Sequence, residues 1–93
     1  MPKLIEIVKD MDTVDEELTI YAVEPWTPDS DALLGMEPDD AVAPPEALAI
    51  GASYFIEVYI AKEFLEGWAR GKHKAASVQQ RCDRLIKYAV NDA

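Results

Sequence analysis

The chain has 93 residues, 49% of them apolar, and it carries a formal net charge of −9. This length suits one domain with one core, and the apolar share excludes intrinsic disorder. No apolar run approaches the ~18 residues of a membrane-spanning helix, and charges follow too early in the opening residues for a signal peptide. A single cysteine, Cys82, excludes an internal disulfide and a thiolate metal site. We therefore expect a cytoplasmic protein.

The charge is unevenly distributed along the chain. Residues 1–50 hold 13 acidic and two basic side chains, whereas residues 51–93 hold five acidic and seven basic ones. The halves thus carry −11 and +2. This pattern indicates either attraction between the halves within one fold or contact with a basic partner. Direct binding to nucleic acid is not expected, because most of the surface would repel phosphates.

A helix and a hairpin are predicted first. Residues 3–11 carry an apolar stripe at helical spacing. Residues 18–23 alternate and are rich in β-branched and aromatic side chains, as in a strand. We expect residues 31–36 to pair with them. The connection holds typical turn residues, namely Pro25, Pro28, Asp29 and Ser30.

The segment after the hairpin is predicted to contain a loop, a helix and a third strand. Residues 37–45 are rich in proline and acids, which favours a flexible loop. Pro44 and Pro45 favour the start of a helix over residues 45–52, and Gly51 is expected to end it. Residues 54–59 have the composition of a strand.

Two helices are predicted for the last third. One begins at Ile60, where the apolar period changes to that of a helix, and the basic stretch "RGKHKA" ends it. Ser77 is expected to cap the other helix, which carries an apolar stripe of Val78, Cys82, Leu85, Ile86, Ala89 and Val90.

The element order α-β-β-α-β-α-α predicts a single α+β domain over residues 1–93, with a small, mostly antiparallel three-stranded sheet covered by helices on one face. Phe55, Phe64 and Trp68 are the predicted core anchors. Because a buried aromatic removes a large area from water, Trp68→Ala is expected to cost ~3–5 kcal/mol.

Three stretches resemble a family of small uncharacterised bacterial proteins: "LTIYAVEPWTPDSDALL", "YFIEVYIAKEFLEGW" and "YAVNDA". Members share a strand, a Trp-Thr turn and a second strand, followed by a third strand and two helices. The resemblance implies an α+β fold and a bacterial cytosol. The family has no known activity, so no catalytic residue is carried over.

Several motifs that could carry chemistry fail on inspection. The acids of residues 10–17 invite a calcium loop, but Asp15 stands where glycine is needed and Tyr21 where glutamate is needed. His73 has no acid nearby in sequence to orient it as a base. Cys82 lies on an apolar stripe, which favours packing. Glu57, within an apolar strand, most simply marks a solvated face; if it pointed inward, it would need a partner or a raised pKa.

The remaining candidates are two surfaces. The Trp26 ring either folds back as a lid on the hairpin or is an exposed anchor, and in the second case a partner-binding surface is predicted around it. Its acidic members are Asp29, Asp31, Asp39 and Asp40. A possible anion contact comprises Arg70, Lys72, His73 and Lys74.

We expect a small acidic interaction module that binds a more basic macromolecule through the acids of residues 10–17 and 29–46, as an inhibitor or immunity-type protein does. The alternatives are a small-ligand binder or enzyme with a pocket near Trp26, and a homodimer or larger homo-oligomer paired through its sheet. No catalytic residue, metal or cofactor is predicted, and an enzyme is the less favoured class.

Overall fold

The computed structural model describes residues 2–39, 43–70 and 75–92. Its helices are α1 (Leu4–Lys9), α2 (Pro45–Ala49), α3 (Val58–Ala69) and α4 (Val78–Asp92), with a short 3-10 helix at Met11–Thr13. Its strands are β1 (Thr19–Val23), β2 (Ala32–Gly35) and β3 (Ala52–Glu57). The predicted α+β class and element order are confirmed.

The three strands form one antiparallel sheet in the order β2-β1-β3. The central strand β1 pairs with β2 through the predicted hairpin and with β3 on its other side. Residues 24–31 connect β1 to β2 at one end of the sheet. The start of β1, the end of β2 and the end of β3 meet at the opposite end, because neighbouring strands run in opposite directions.

A β-bulge interrupts the pairing of β1 with β3. Ile20 lies opposite Ile56 and Tyr21 lies opposite Tyr54, which leaves Phe55 without a partner. Consecutive residues Phe55 and Ile56 therefore both enter the same core cluster, which regular alternation would forbid. After the bulge, Glu57 pairs with Thr19 and so lies on the sheet face of Tyr21.

Helices cover both faces of the sheet. On the first face, Ile20, Ala22 and Phe55 pack with the apolar sides of α1, α3 and α4 in the main core. On the second face, Tyr21 forms a smaller cluster with residues of and around α2. The helical layer expected on one face is thus present, and α2 adds a cover on the other.

The predicted aromatic anchors differ in burial. Phe55 is completely buried, whereas Phe64 is half-buried and stacks on Tyr88 with ring centroids 4.2 Å apart. Trp68 is also only half-buried and lies beside the start of α4, so its prediction as a core anchor is wrong. It follows Leu65, a main-core residue of α3, by three positions, but it falls in the last turn of that helix, outside the main core.

The boundary between β3 and α3 lies two residues earlier than predicted. The strand spans 52–57 instead of 54–59, and the helix begins at Val58 instead of Ile60. The apolar run through this region fits a strand or a helix equally well, so composition alone misplaces the boundary.

Ser77 caps α4 as predicted. The backbone N–H of Gln80 donates to Ser77 Oγ at 3.1 Å, and the Ser77 N–H donates to Gln80 Oε1 at 2.8 Å. This reciprocal pair is a capping box with glutamine at its third position, and it satisfies two amides at the helix start.

Gly51 and Gly67 should respond oppositely to replacement by alanine. Gly51 follows α2 with φ of +73°, a conformation that costs an alanine about 1–2 kcal/mol. Gly67 lies within α3 with open space around it, so alanine should raise the free energy of unfolding by about 0.5–1 kcal/mol there. Urea titration of both variants measures this. Equal shifts in the same direction would contradict the assignment of the two backbone conformations.

Within residues 2–39, 43–70 and 75–92, no helix is both long and apolar enough to cross a membrane.

Candidate functional site

An open groove of about 710 Å³ lies at the end of the sheet opposite the hairpin turn. The loop before β1, the end of β2 and the junction of β3 with α3 form its walls. We call it the acidic groove; its lining residues are Glu16, Glu17, Leu18, Thr19, Met36, Glu37, Glu57, Tyr59, Lys62, Glu63 and Glu66.

The groove concentrates negative charge. Six of its lining side chains are glutamates, and Lys62 is the one basic residue among the described lining. The acids come from segments that are far apart in the sequence, since the first is Glu16 and the last is Glu66. Carboxylates gathered around one concavity focus a negative potential, so the groove attracts cations and basic surfaces.

Two of these carboxyls lie side by side on the second face of the sheet. Thr19 Oγ1 donates a hydrogen bond of 3.1 Å to Glu37 Oε1, which fixes Glu37 after β2. Glu57 is half-buried opposite Thr19 on β3. Burial raises the pKa of Glu57, and the adjoining Glu37 carboxyl raises it further. The sequence most simply places Glu57 on a solvated face. In the structure Glu57 is instead half-buried beside the Glu37 carboxyl, and its pKa is raised.

The Tyr21 hydroxyl lies behind this carboxyl pair. Tyr21 is fully buried, and its hydroxyl has no hydrogen-bond partner among the described residues. A Cβ added at Gly35 would lie 3.9 Å from Tyr21 Cε2, so the ring reaches across toward the strand that leads to Glu37. Burial raises the pKa of Tyr21, and the charges of Glu37 and Glu57 add to this. A polar group buried without a partner is costly, which marks this corner as unusual.

Trp26 occupies a different place, at the hairpin end of the sheet. Its indole N–H donates to the Ala22 carbonyl at 3.2 Å, and its ring meets Phe55 edge to face with centroids 4.9 Å apart. The ring is thus folded back as a half-buried lid on the core. Part of it still lines a second groove of about 630 Å³, with Pro25, Tyr54 and Val90.

The rest of the hairpin connection shows turn chemistry. Ser30 is buried and accepts the Thr27 N–H at 2.9 Å, while its hydroxyl donates to the Pro25 carbonyl at 3.2 Å. The Asp29 N–H donates to Thr27 Oγ1 at 3.2 Å. The peptide bond between Glu24 and Pro25 is cis.

Of the acids predicted to accompany Trp26, Asp29 and Asp31 lie at the same end of the sheet as the tryptophan, whereas Asp39 lies beyond the end of β2. Asp31 pairs with Lys3 at 2.8 Å, and this hydrogen bond holds the pKa of Asp31 below its ordinary value. Asp29 is exposed on the turn, whereas exposed Asp39 follows Glu37 by two residues on the far side of β2. Asp40 lies outside the described residues.

Of the four residues of the predicted anion contact, the structure describes Arg70. Arg70 pairs with Glu66 at 2.7 Å across one turn of α3, and both side chains are exposed. Lys72, His73 and Lys74 lie outside the described residues. Cys82 is buried as predicted, and burial raises the pKa of its thiol to about 12, which makes it unreactive.

The sequence predicts some of the acidic residues of the groove but not the contact between Glu37 and Glu57. Glu16, Glu17 and Glu37 fall in the two acidic stretches proposed to meet a partner. The placement of Glu57 against Glu37 depends on strand register and on the bulge. In the described ranges, no three Asp, Glu, His or Cys side chains converge in a way that could hold a metal ion.

No protein-family model matches the chain, and the searches of curated proteins and of solved structures gave no significant match.

Proposed function

We propose that this protein binds a basic macromolecular partner through the acidic groove, as an inhibitor or immunity-type protein does. The observation that supports this proposal is the gathering of six glutamates around one concavity in a chain of net charge −9. A potential of this kind speeds association with a positively charged surface and disfavours neutral or acidic competitors.

The rim of the groove also offers apolar contact. Met36 and Tyr59 both line the groove and are 60% and 48% exposed. Tyrosine and methionine are enriched at the centres of protein interfaces, where they provide contact area. The partner would therefore present basic side chains around a partly apolar surface.

We place this activity in the bacterial cytoplasm, in agreement with the resemblance to small uncharacterised bacterial proteins. That resemblance carries no enzymatic activity, which suits a binding protein.

Two triple variants with the same net charge test the groove. The first neutralises Glu16, Glu63 and Glu66 as glutamines; the second neutralises Asp29, Glu46 and Asp83, which lie outside the groove, as amides. A partner captured from a lysate of the source organism at ~50 mM salt would be purified, and its association rate measured with each form. We expect the groove variant to associate at least ~10-fold more slowly and the second variant to stay within ~3-fold of wild type.

Salt provides the accompanying control. The difference between the variants should shrink at ~500 mM salt, because screening weakens exposed charges. Equal effects of the two triple variants, or an association rate independent of salt, would contradict the proposal.

The second groove supports an alternative, a small-ligand site at Trp26. Its lining is largely apolar, with Glu24 as the one carboxylate among the described residues. Apolar compounds with one cationic group would suit it. Saturable shifts of the Trp26 indole resonance in an NMR compound screen would favour this alternative over the acidic groove.

A further inference from the structure

We propose that the Glu37–Glu57 carboxyl pair is the subsite of the acidic groove that receives an arginine side chain of the partner. This inference rests on the proposed function and specifies its chemistry. It assigns the recognition of one guanidinium to two particular carboxyls and leaves the other four glutamates to provide long-range attraction.

The pair is held by two elements rather than by one flexible segment. Glu37 is fixed by the hydrogen bond from Thr19, and Glu57 is fixed by its register position opposite the same residue. Two ionised carboxylates side by side repel each other, so a cation placed between them stabilises the pair. The groove gives a larger cation access to that position.

The buried Tyr21 hydroxyl is an independent sign that this corner lacks a group. It is fully buried and has no hydrogen-bond partner in the part of the chain that the structure describes, and the charges of the two carboxyls help to raise its pKa. A guanidinium in the subsite would bring a positive charge and several donors to the two carboxyls in this corner.

The arrangement suits a guanidinium better than a metal ion. Two carboxyls converge, whereas no set of three potential ligands is found among the described residues. Arginine brings a planar fork of five donors that matches paired carboxylate oxygens. The neighbouring Tyr59 ring is half exposed and can stack on a guanidinium plane.

Binding at this subsite is linked to pH. Because burial and the neighbouring carboxyl raise the pKa of Glu57, a cation that binds below that pKa displaces a proton to solvent. Affinity should rise as pH rises through the pKa of Glu57 and level off above it. The other ionisable groups around the pair are Glu16, Glu17, Tyr21, Tyr54, Tyr59, Lys62, Glu63 and Glu66.

Acetyl-argininamide, which carries one guanidinium and no other charge, is the probe. Carboxyl carbon resonances of the glutamates would be followed by NMR from pH 3 to 8, with and without the probe. We expect saturable shifts at Glu37 and Glu57 with a Kd of about 1–10 mM. The pKa of Glu57 should fall in the presence of saturating probe, and acetyl-lysinamide should bind more weakly.

A matched pair of variants separates the subsite from the general charge of the groove. Glu37→Gln should remove the Glu57 pKa change and weaken probe binding ~10-fold or more. Glu63→Gln removes the same charge from the same groove. It should leave the Glu57 pKa change in place and the Kd of the probe within ~2-fold of wild type. An unchanged amide spectrum away from the groove would show that each variant is folded.

Two results would overturn the subsite. One is a set of equal, non-saturating shifts at all groove glutamates, and the other is equal loss of probe binding in Glu37→Gln and Glu63→Gln. Neither result would contradict the proposed function, because the partner association assay tests it separately with the variant of Glu16, Glu63 and Glu66.

Discussion

Phe55→Ala is expected to lower the free energy of unfolding by about 3–5 kcal/mol. Phe55 is fully buried, meets the Trp26 ring edge to face, and fills the main core from the bulge of β3. Truncation would remove its buried area and leave a cavity that the surrounding helices and sheet cannot fully close. A domain of this size has a stability of the same order, so the variant should be close to unfolded at room temperature.

Chemical denaturation followed by circular dichroism measures this effect. Phe55→Leu keeps most of the volume and should cost roughly 1 kcal/mol. Trp68→Ala provides the comparison, and its expected cost is now smaller than the ~3–5 kcal/mol inferred from the sequence, because Trp68 is half-buried outside the main core. A larger loss for Trp68→Ala than for Phe55→Ala would show that the main core has been assigned to the wrong part of the chain.

Tyr21→Phe is expected to stabilise the protein by about 1–2 kcal/mol. Among residues 2–39, 43–70 and 75–92 the buried Tyr21 hydroxyl has no hydrogen-bond partner, so the folded state carries a desolvation cost that phenylalanine would not have. The ring itself would stay in place, in the small cluster beneath α2. Most substitutions of buried residues destabilise, which makes the sign of this effect a demanding test.

The urea midpoints of Tyr21→Phe and wild type give the answer. Tyr59→Phe removes, from a half-exposed ring, a hydroxyl that hydrogen-bonds to Glu57, so it should lower the stability slightly, a change of the opposite sign. A loss of stability in Tyr21→Phe would mean that the hydroxyl is hydrogen-bonded in solution. A gain would show that the hydroxyl is unsatisfied in the folded protein.

Elements with a regular apolar period could be predicted from the sequence. The stripe of α1 is buried as expected, at Leu4, Ile7, Val8 and Met11. The hairpin, the Gly51 stop and the Ser77 cap depend on interactions among residues close in sequence, so local chemistry was enough to indicate them. The junction of β3 and α3 could not be placed in this way, because both states tolerate its apolar composition.

The candidate site was harder to predict because it depends on pairing between distant segments. Glu37 and Glu57 are 20 residues apart, and they meet only through the register of β1 with each of its neighbours. The bulge at Phe55 then decides which face Glu57 takes. A bulge adds one residue without a compositional signal, and the alternation rule therefore assigns the following side chains to the wrong face.

The helix α2, which covers the second face of the sheet, is expected to be less stable than the rest of the fold. This helix has five residues, too few to persist alone, and its buried contacts involve mainly alanines around the Tyr21 ring. Its hydrogen bonds should open locally at a lower free energy than those of β1, which lies between two strands. The protein can therefore be viewed as a stable framework of sheet and long helices with one short segment that unfolds and refolds on it, independently of global denaturation.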